Sequence, residues 1–224
     1  MDSLTVLLKD LGGRDKITKL LQYGGRAVKY YTLNSMPFVS NSCEIVEKNF
    51  SMARKVFRLG KFIPEMKKGS KAAAGIGTSG SDTKKEDYLK MLAGYAVALW
   101  YIGDHMLWIA KLKLFSSVTP HEKFFKKIAW KFRGIGYSFY FALSYLAISN
   151  IQDNSMSAGV TNRRDDVANK LMELKRDMVH RFCMILVALK NGFGFGFTDG
   201  ATGILGSISS LVVLHGLMAK KNLL

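Results

Sequence analysis

The sequence predicts an all-α integral membrane protein, and three observations carry that reading. No segment alternates apolar and polar residues over a strand's length. Apolar positions recur at helical spacing, and the three prolines, Pro37, Pro64 and Pro120, fall between helical patterns rather than inside one. Two stretches of about 20 residues are almost free of formal charge, the length a helix needs to cross ~30 Å of hydrocarbon.

Composition narrows the partners. Of 224 residues, 48% are apolar, enough for a substantial core. Lys and Arg number 33 against 17 Asp and Glu, a formal charge of +16, so an anionic partner is expected. With 12% aromatics and a mean hydropathy of +0.06, the chain is too apolar for a disordered basic tail or an ordinary nucleic-acid binder. An anionic phospholipid membrane is the expected partner, together with further copies of the chain; nucleic acid is not. Cys43 and Cys183 cannot build a disulfide framework and read as packing thiols. The opening Met1-Asp2-Ser3 lacks the cationic and apolar regions of a secretory signal, so none is expected.

Three regions follow: a basic amphipathic helical region over 1–66, a flexible linker over 67–87 and a membrane-associated helical region over 88–224. In the first region, Ile17, Leu20, Leu21, Val28 and Tyr31 form one apolar stripe, while Lys16, Lys19, Gln22, Arg26 and Lys29 occupy the rest of the helix. Asn41 and Glu44 stand in N-cap and N3 spacing and Pro64 sets a far limit, which predicts a second helix over 42–62. Winding it places Ile45, Val46, Phe50, Val56, Phe57 and Gly60 on an apolar, membrane-inserting half. Lys48, Arg54, Lys55, Arg58 and Lys61 fall on a basic half suited to lipid headgroups. Such a helix, lying in the headgroup plane, expands one leaflet and favours curvature. The other reading of the same pattern is a surface helix docked on a helical core. The linker is expected from its small and charged residues, Lys-Lys-Gly-Ser-Lys-Ala-Ala-Ala-Gly onward from Lys67.

In the third region, 134–152 and 200–219 are the candidate spans. The first is preceded by the aromatic and basic run from Phe124 to Arg133 and diluted by Ser138, Ser144 and Ser149. The second is followed by Lys220 and Lys221. Gly196, Gly200, Gly203 and Gly206, at three- and four-residue spacing, are expected to let another helix approach closely. The flanking cations predict two crossings with both termini cytosolic. Asp104 and His105 interrupt the apolar stretch 91–110 and are expected at a solvated or headgroup-facing edge, with a polar element inside a bundle or pore as the other option. The Gly192-Phe-Gly194-Phe-Gly196-Phe run lacks the third glycine of a dinucleotide fingerprint and reads as tight packing or a hinge.

Residues 13–23, Gly-Arg-Asp-Lys-Ile-Thr-Lys-Leu-Leu-Gln-Tyr, taken with residues 53–61, Ala-Arg-Lys-Val-Phe-Arg-Leu-Gly-Lys, resemble the N-terminal signature of the peroxin-11 family of peroxisomal membrane proteins. The likeness is close over the N-terminal region and loose beyond it. It implies a peroxisomal membrane location, or a glycosomal one if the chain is a kinetoplastid member. It also implies a role in elongating and dividing that organelle, with Arg54, Lys55, Arg58 and Lys61 on the family's basic helical face and Val56, Phe57 and Gly60 on its inserting face. Organelle fission machinery is the partner it implies.

Nothing in the sequence points to chemistry. The four histidines are scattered, His121-Glu122 has no second histidine at zinc-helix spacing, and neither a nucleophile elbow nor a phosphate loop occurs. No enzyme activity, cofactor or metal is expected. Membrane remodelling is the leading function, with a pore for small metabolites or a passive membrane adaptor as alternatives.

Overall fold

The computed structural model describes residues 3–77, 80–113, 119–157 and 164–221, and among these all regular structure is helical. The helices are α1 (Ser3–Lys9), α2 (Leu11–Thr32), α3 (Pro37–Phe57), α4 (Phe62–Ile76), α5 (Ser81–Lys111), α6 (Glu122–Ser157), α7 (Arg164–Ala188) and α8 (Asp199–Lys220). A single 3-10 turn at Thr119–His121 leads into α6, and a π turn at Leu189–Phe193 closes α7.

Local chemistry sets the boundaries. The Asp10 carboxylate accepts the Gly12 amide at 3.0 Å and caps α2; Thr198 caps α8 by accepting the Ala201 amide at 3.1 Å. The second N-terminal helix starts at Pro37, not near Asn41, because proline at the first helical position has its φ already set and no amide to satisfy. It also ends earlier than the predicted 62. The Arg58 amide turns back to the Lys55 carbonyl at 3.2 Å, and Gly60 takes φ +74°, a left-handed conformation that glycine adopts without strain. Pro64 therefore sits in the first turn of α4.

The expected linker 67–87 is largely helical. α4 runs through Gly69 and Ala72 to Ile76, and α5 begins at Ser81; positions 78 and 79 lie outside the described residues. The small residues serve close packing. A Cβ on Gly94 would lie 2.8 Å from the Gly69 amide nitrogen, and Ala72 is buried. A composition read as flexible is the one that allows two helix backbones to touch.

The helices form a ring. α2 packs between α3 and α8, α8 between α2 and α7, α6 between α7 and α5, and α4 covers α5. Neighbours run antiparallel: Gly200 faces Tyr30 and Ser209 faces Lys19, while Gly103 faces Ala129 and Gly136 faces Val97. α3 and α4 continue in one direction along α5, Arg58 meeting Asp104 and Gly69 meeting Tyr95. At one end Lys221 pairs with Asp10 at 3.6 Å, so the start of α2 and the end of α8 lie side by side. Two small apolar clusters, Tyr23 with Met184 and Val187, and Val97 with Trp100 and Ala129, fill part of the interior.

Among the described residues, Asp199–Lys220 is the one helix long and apolar enough to cross a membrane, about 33 Å at ~1.5 Å per residue. The expected span 134–152 lies within α6 and does not reach that apolarity. Of its serines, Ser144 is buried and receives Arg181 Nη1, while Ser138, at an exposed position, bonds back to the Gly134 carbonyl at 3.0 Å.

Candidate functional site

Both amphipathic N-terminal helices lie with the polar side inward. On α3, Arg54 and Lys55 are each 3% exposed and Arg58 is buried with them, whereas Ile45 is 60% and Val56 45% exposed, with Val46 also outside. Phe50, Phe57, Gly60 and Lys61 are half-buried, and Lys48 projects from the protein. The basic face expected on lipid headgroups is thus divided: Lys48 remains outside, and Arg54, Lys55 and Arg58 are taken into the ring. α2 repeats the pattern, with Asp15, Lys19, Gln22 and Tyr23 buried and Leu21, Val28 and Tyr31 exposed.

The reason is a network of charge pairs linking three helices. Asp15 Oδ1 accepts Arg54 Nε at 3.1 Å and lies 3.9 Å from Arg58 Nε. Arg54 Nη1 donates to Gln22 Oε1 at 2.6 Å. Arg58 Nη2 reaches Asp104 on α5 at 3.2 Å, and its carbonyl lies 3.1 Å from His105 Nε2. Asp104, expected at a solvated edge, is instead 8% exposed and anchors α3 to α5. Burial opposes ionisation of Asp15, but Arg54, Lys16 and Arg58 outweigh it and hold the carboxyl far below the usual range. Lys55 has no such compensation: burial pulls it from 10.5 down to about 8 despite the Asp104 charge.

A cavity of about 220 Å³ opens beside this network, bounded by α2, α3, α5, α6 and Asn191 of the π turn. On its wall the Arg133 guanidinium, 3% exposed, lies 4.4 Å from the Trp100 ring centroid and 4.9 Å from that of Trp130. Arg133 was not singled out by the sequence. Its place at the end of a run of aromatic and basic residues suggested an interfacial anchor, and only the ring of helices turns it inward.

The glycines divide. A Cβ on Gly203 would lie 2.5 Å from the Ala27 amide nitrogen, and one on Gly200 or Gly206 would run into the Tyr30 or Tyr23 ring, so these three sit where α8 meets α2. Gly196 has open space around it. The Gly192 to Phe197 run forms the exit from the π turn, where Gly194 takes φ +83°.

A cluster of buried charges on α2, α3, α5 and α6, with large apolar side chains such as Tyr31, Phe38 and Ile45 exposed, defines a helical protein whose apolar surface is of the kind that meets a membrane or another protein. The chain belongs to the Peroxisomal biogenesis factor 11 (PEX11) family, whose model matches residues 1–218. It is similar to the Peroxisomal membrane protein 11 homolog of Dictyostelium discoideum, at 22% identity over 98% of this chain and 95% of that protein. It is also similar to Peroxisomal membrane protein PMP30B of Candida boidinii, at 27% over 93% and 91%, and to Peroxisomal membrane protein 11A of Arabidopsis thaliana, at 24% over 96% and 92%. No solved structure matches the chain. The family assignment places the protein in peroxisome biogenesis, at the peroxisomal membrane.

Proposed function

We propose that this protein elongates the peroxisomal membrane ahead of division by laying the apolar outer face of α3, with that of α2 beside it, into the cytosolic leaflet as a wedge. The observation that carries the reading is the exposure of Ile45, Val46 and Val56 on a helix whose opposite face is tied into the ring by Asp15 and Asp104. A wedge needs depth on one side and a rigid back on the other, and the charge network supplies the back. Headgroup attraction falls to cations that remain outside, Lys48 first among them. α8, with α2 running antiparallel beside it from Gly200 and Tyr30 to Lys221 and Asp10, lies in the membrane and holds the protein there. The meeting of Asp10 with Lys221 supports a topology in which both ends emerge on the cytosolic side. Further copies of the chain concentrate wedges along a tubule, and organelle fission machinery acts on the elongated membrane. The role is mechanical, with no catalytic step.

The test uses the full-length protein reconstituted into vesicles containing anionic lipid. Ile45→Glu and Val56→Glu each place one negative charge on the exposed apolar face, whereas Asn169→Glu places the same charge on an exposed polar position of α7. The first two are expected to abolish tubulation and the third to leave it intact. Tubulation by all three equal to the parent protein would remove the wedge.

A further inference from the structure

The inner face of α3 carries a second consequence, independent of what its outer face does. Buried charges normally come in pairs, because an isolated ion is costly in a low-dielectric interior. Here five buried cations, Lys19, Arg54, Lys55, Arg58 and Arg133, face two buried carboxylates, Asp15 and Asp104. Arg54 and Arg58 lie against the two aspartates, Asp104 Oδ2 being 3.2 Å from Arg58 Nη2 without a hydrogen bond, while Lys19, away from the cavity, meets only the neutral Ser209 Oγ at 2.6 Å. Lys55 Nζ reaches only Ser51, at 3.2 Å to its hydroxyl and 3.3 Å to its carbonyl. Arg133 Nε is fully buried with no hydrogen-bond partner. Among the described residues no carboxylate lies within ion-pair distance of Lys55 or Arg133, and both line the same cavity.

The cavity's shape and sign say what completes it. Lys48, Lys111 and Lys126 also line it and are exposed, so three further cations border the same space. Glu47, on the wall, is held by Arg26 at 2.6 Å. The carboxylates that pair with Lys48 and Lys111, Glu44 and Glu122, stand outside the lining. A volume of about 220 Å³ takes roughly seven waters at ~30 Å³ each and falls below the ~300–1,000 Å³ of pockets for drug-sized ligands. It has room to enclose one phosphoryl group. The Arg133 guanidinium, set against the Trp100 and Trp130 rings, carries planar forked donors, which suit a tetrahedral oxyanion better than a halide.

We propose that this cavity binds a small phosphoryl oxyanion, with Arg133 and Lys55 as its inner ligands and Lys48, Lys111 and Lys126 as the exposed cations that border it. The group belongs either to a free phosphate-type anion or to the phosphomonoester of a lipid such as phosphatidic acid.

The test is thermal unfolding of the full-length protein in neutral detergent, titrated with inorganic phosphate, with sodium chloride at matched ionic strength, and with dihexanoyl phosphatidic acid against dihexanoyl phosphatidylcholine. A saturable rise in Tm with phosphate but not chloride is expected. Arg133→Met should weaken apparent affinity at least tenfold. Lys111→Met and Lys126→Met, both at exposed positions that leave folding intact, should each weaken it several-fold, which keeps the test decisive if Arg133→Met does not fold. Protection by phosphate alone supports the free anion. Protection by phosphatidic acid at tenfold lower concentration, with phosphate competing, supports the lipid headgroup. Protection by chloride equal to that by phosphate, no protection by either phosphoryl compound, or unchanged affinity in the two lysine variants would overturn the site.

Discussion

Asp15 receives Arg54 at 3.1 Å and stands 3.9 Å from Arg58, so this carboxylate on α2 helps hold the basic face of α3 inward, with Asp104 on α5. Removing one partner of a buried pair strands the other charge, at a cost of about 3–5 kcal/mol. Asp15→Asn is therefore expected to lower the thermal midpoint of the detergent-solubilised protein steeply, and Asp15→Asn combined with Arg54→Met to recover part of the loss. A midpoint unchanged by Asp15→Asn would mean that the pair is not buried. Lys55 gives a pH signature. Its folded pKa of about 8 lies below the ordinary 10.5, so the unfolded chain binds the extra proton between those values and stability rises with pH across that window. Below about 8 both states are protonated and the penalty is fully present. Lys55→Met should flatten the rise between pH 8 and 10.5 in unfolding experiments; an identical slope in the variant would assign the pH dependence to another group. None of this was visible in the sequence. Asp15, Arg54 and Asp104 are 39 or more positions apart, and only the packing of α2, α3 and α5 brings them together.

At the level of elements, periodicity located the amphipathic axes of α2 and α3 but not their sign. An apolar stripe turns inward in water and outward in lipid, and a helical wheel is the same in both cases. The helix boundaries moved because Pro37 and Gly60 act on the backbone directly, while Asn41 only resembled a cap. The small residues of 67–76 suggest flexibility by composition alone, although Gly69 and Ala72 are spaced to let α4 lie on α5. The glycine spacing of the last helix was the most legible feature. Gly200, Gly203 and Gly206 line the α2 contact, whereas Gly196 precedes the helix and a Cβ there would meet nothing within 4 Å. Gly203→Leu is expected to drive α8 from α2 and cost at least the ~1–3 kcal/mol of ordinary overpacking, with Gly196→Ala near neutral. Equal midpoints for the two variants, measured by circular dichroism in detergent, would rule out the close approach.

At the scale of the whole molecule, a ring of helices encloses the Asp15, Arg54, Arg58 and Asp104 charges and offers Leu21, Val28, Ile45 and Val56 to the surroundings. The family resemblance carried by residues 13–23 and 53–61 was legible because both segments are local, and those same segments supply Asp15, Arg54 and Arg58 to the network. The ring gives the proposed topology a test as well. The ends of α2 and α8 meet at Asp10 and Lys221, so tags on the two termini are expected to be cleaved together when intact peroxisomes are treated with protease. Protection of one tag alone would place the ends on opposite sides. The inverted setting of α3 is the central claim, and depth-dependent quenching tests it most directly. With Cys43 and Cys183 replaced by serine, single cysteines at Ile45 and Ser51 are labelled with bimane in the full-length protein, in vesicles whose acyl chains carry bromine. Strong bromine quenching at position 45 and little at position 51 is the predicted result; quenching at 51, with 45 open to aqueous iodide, would contradict it.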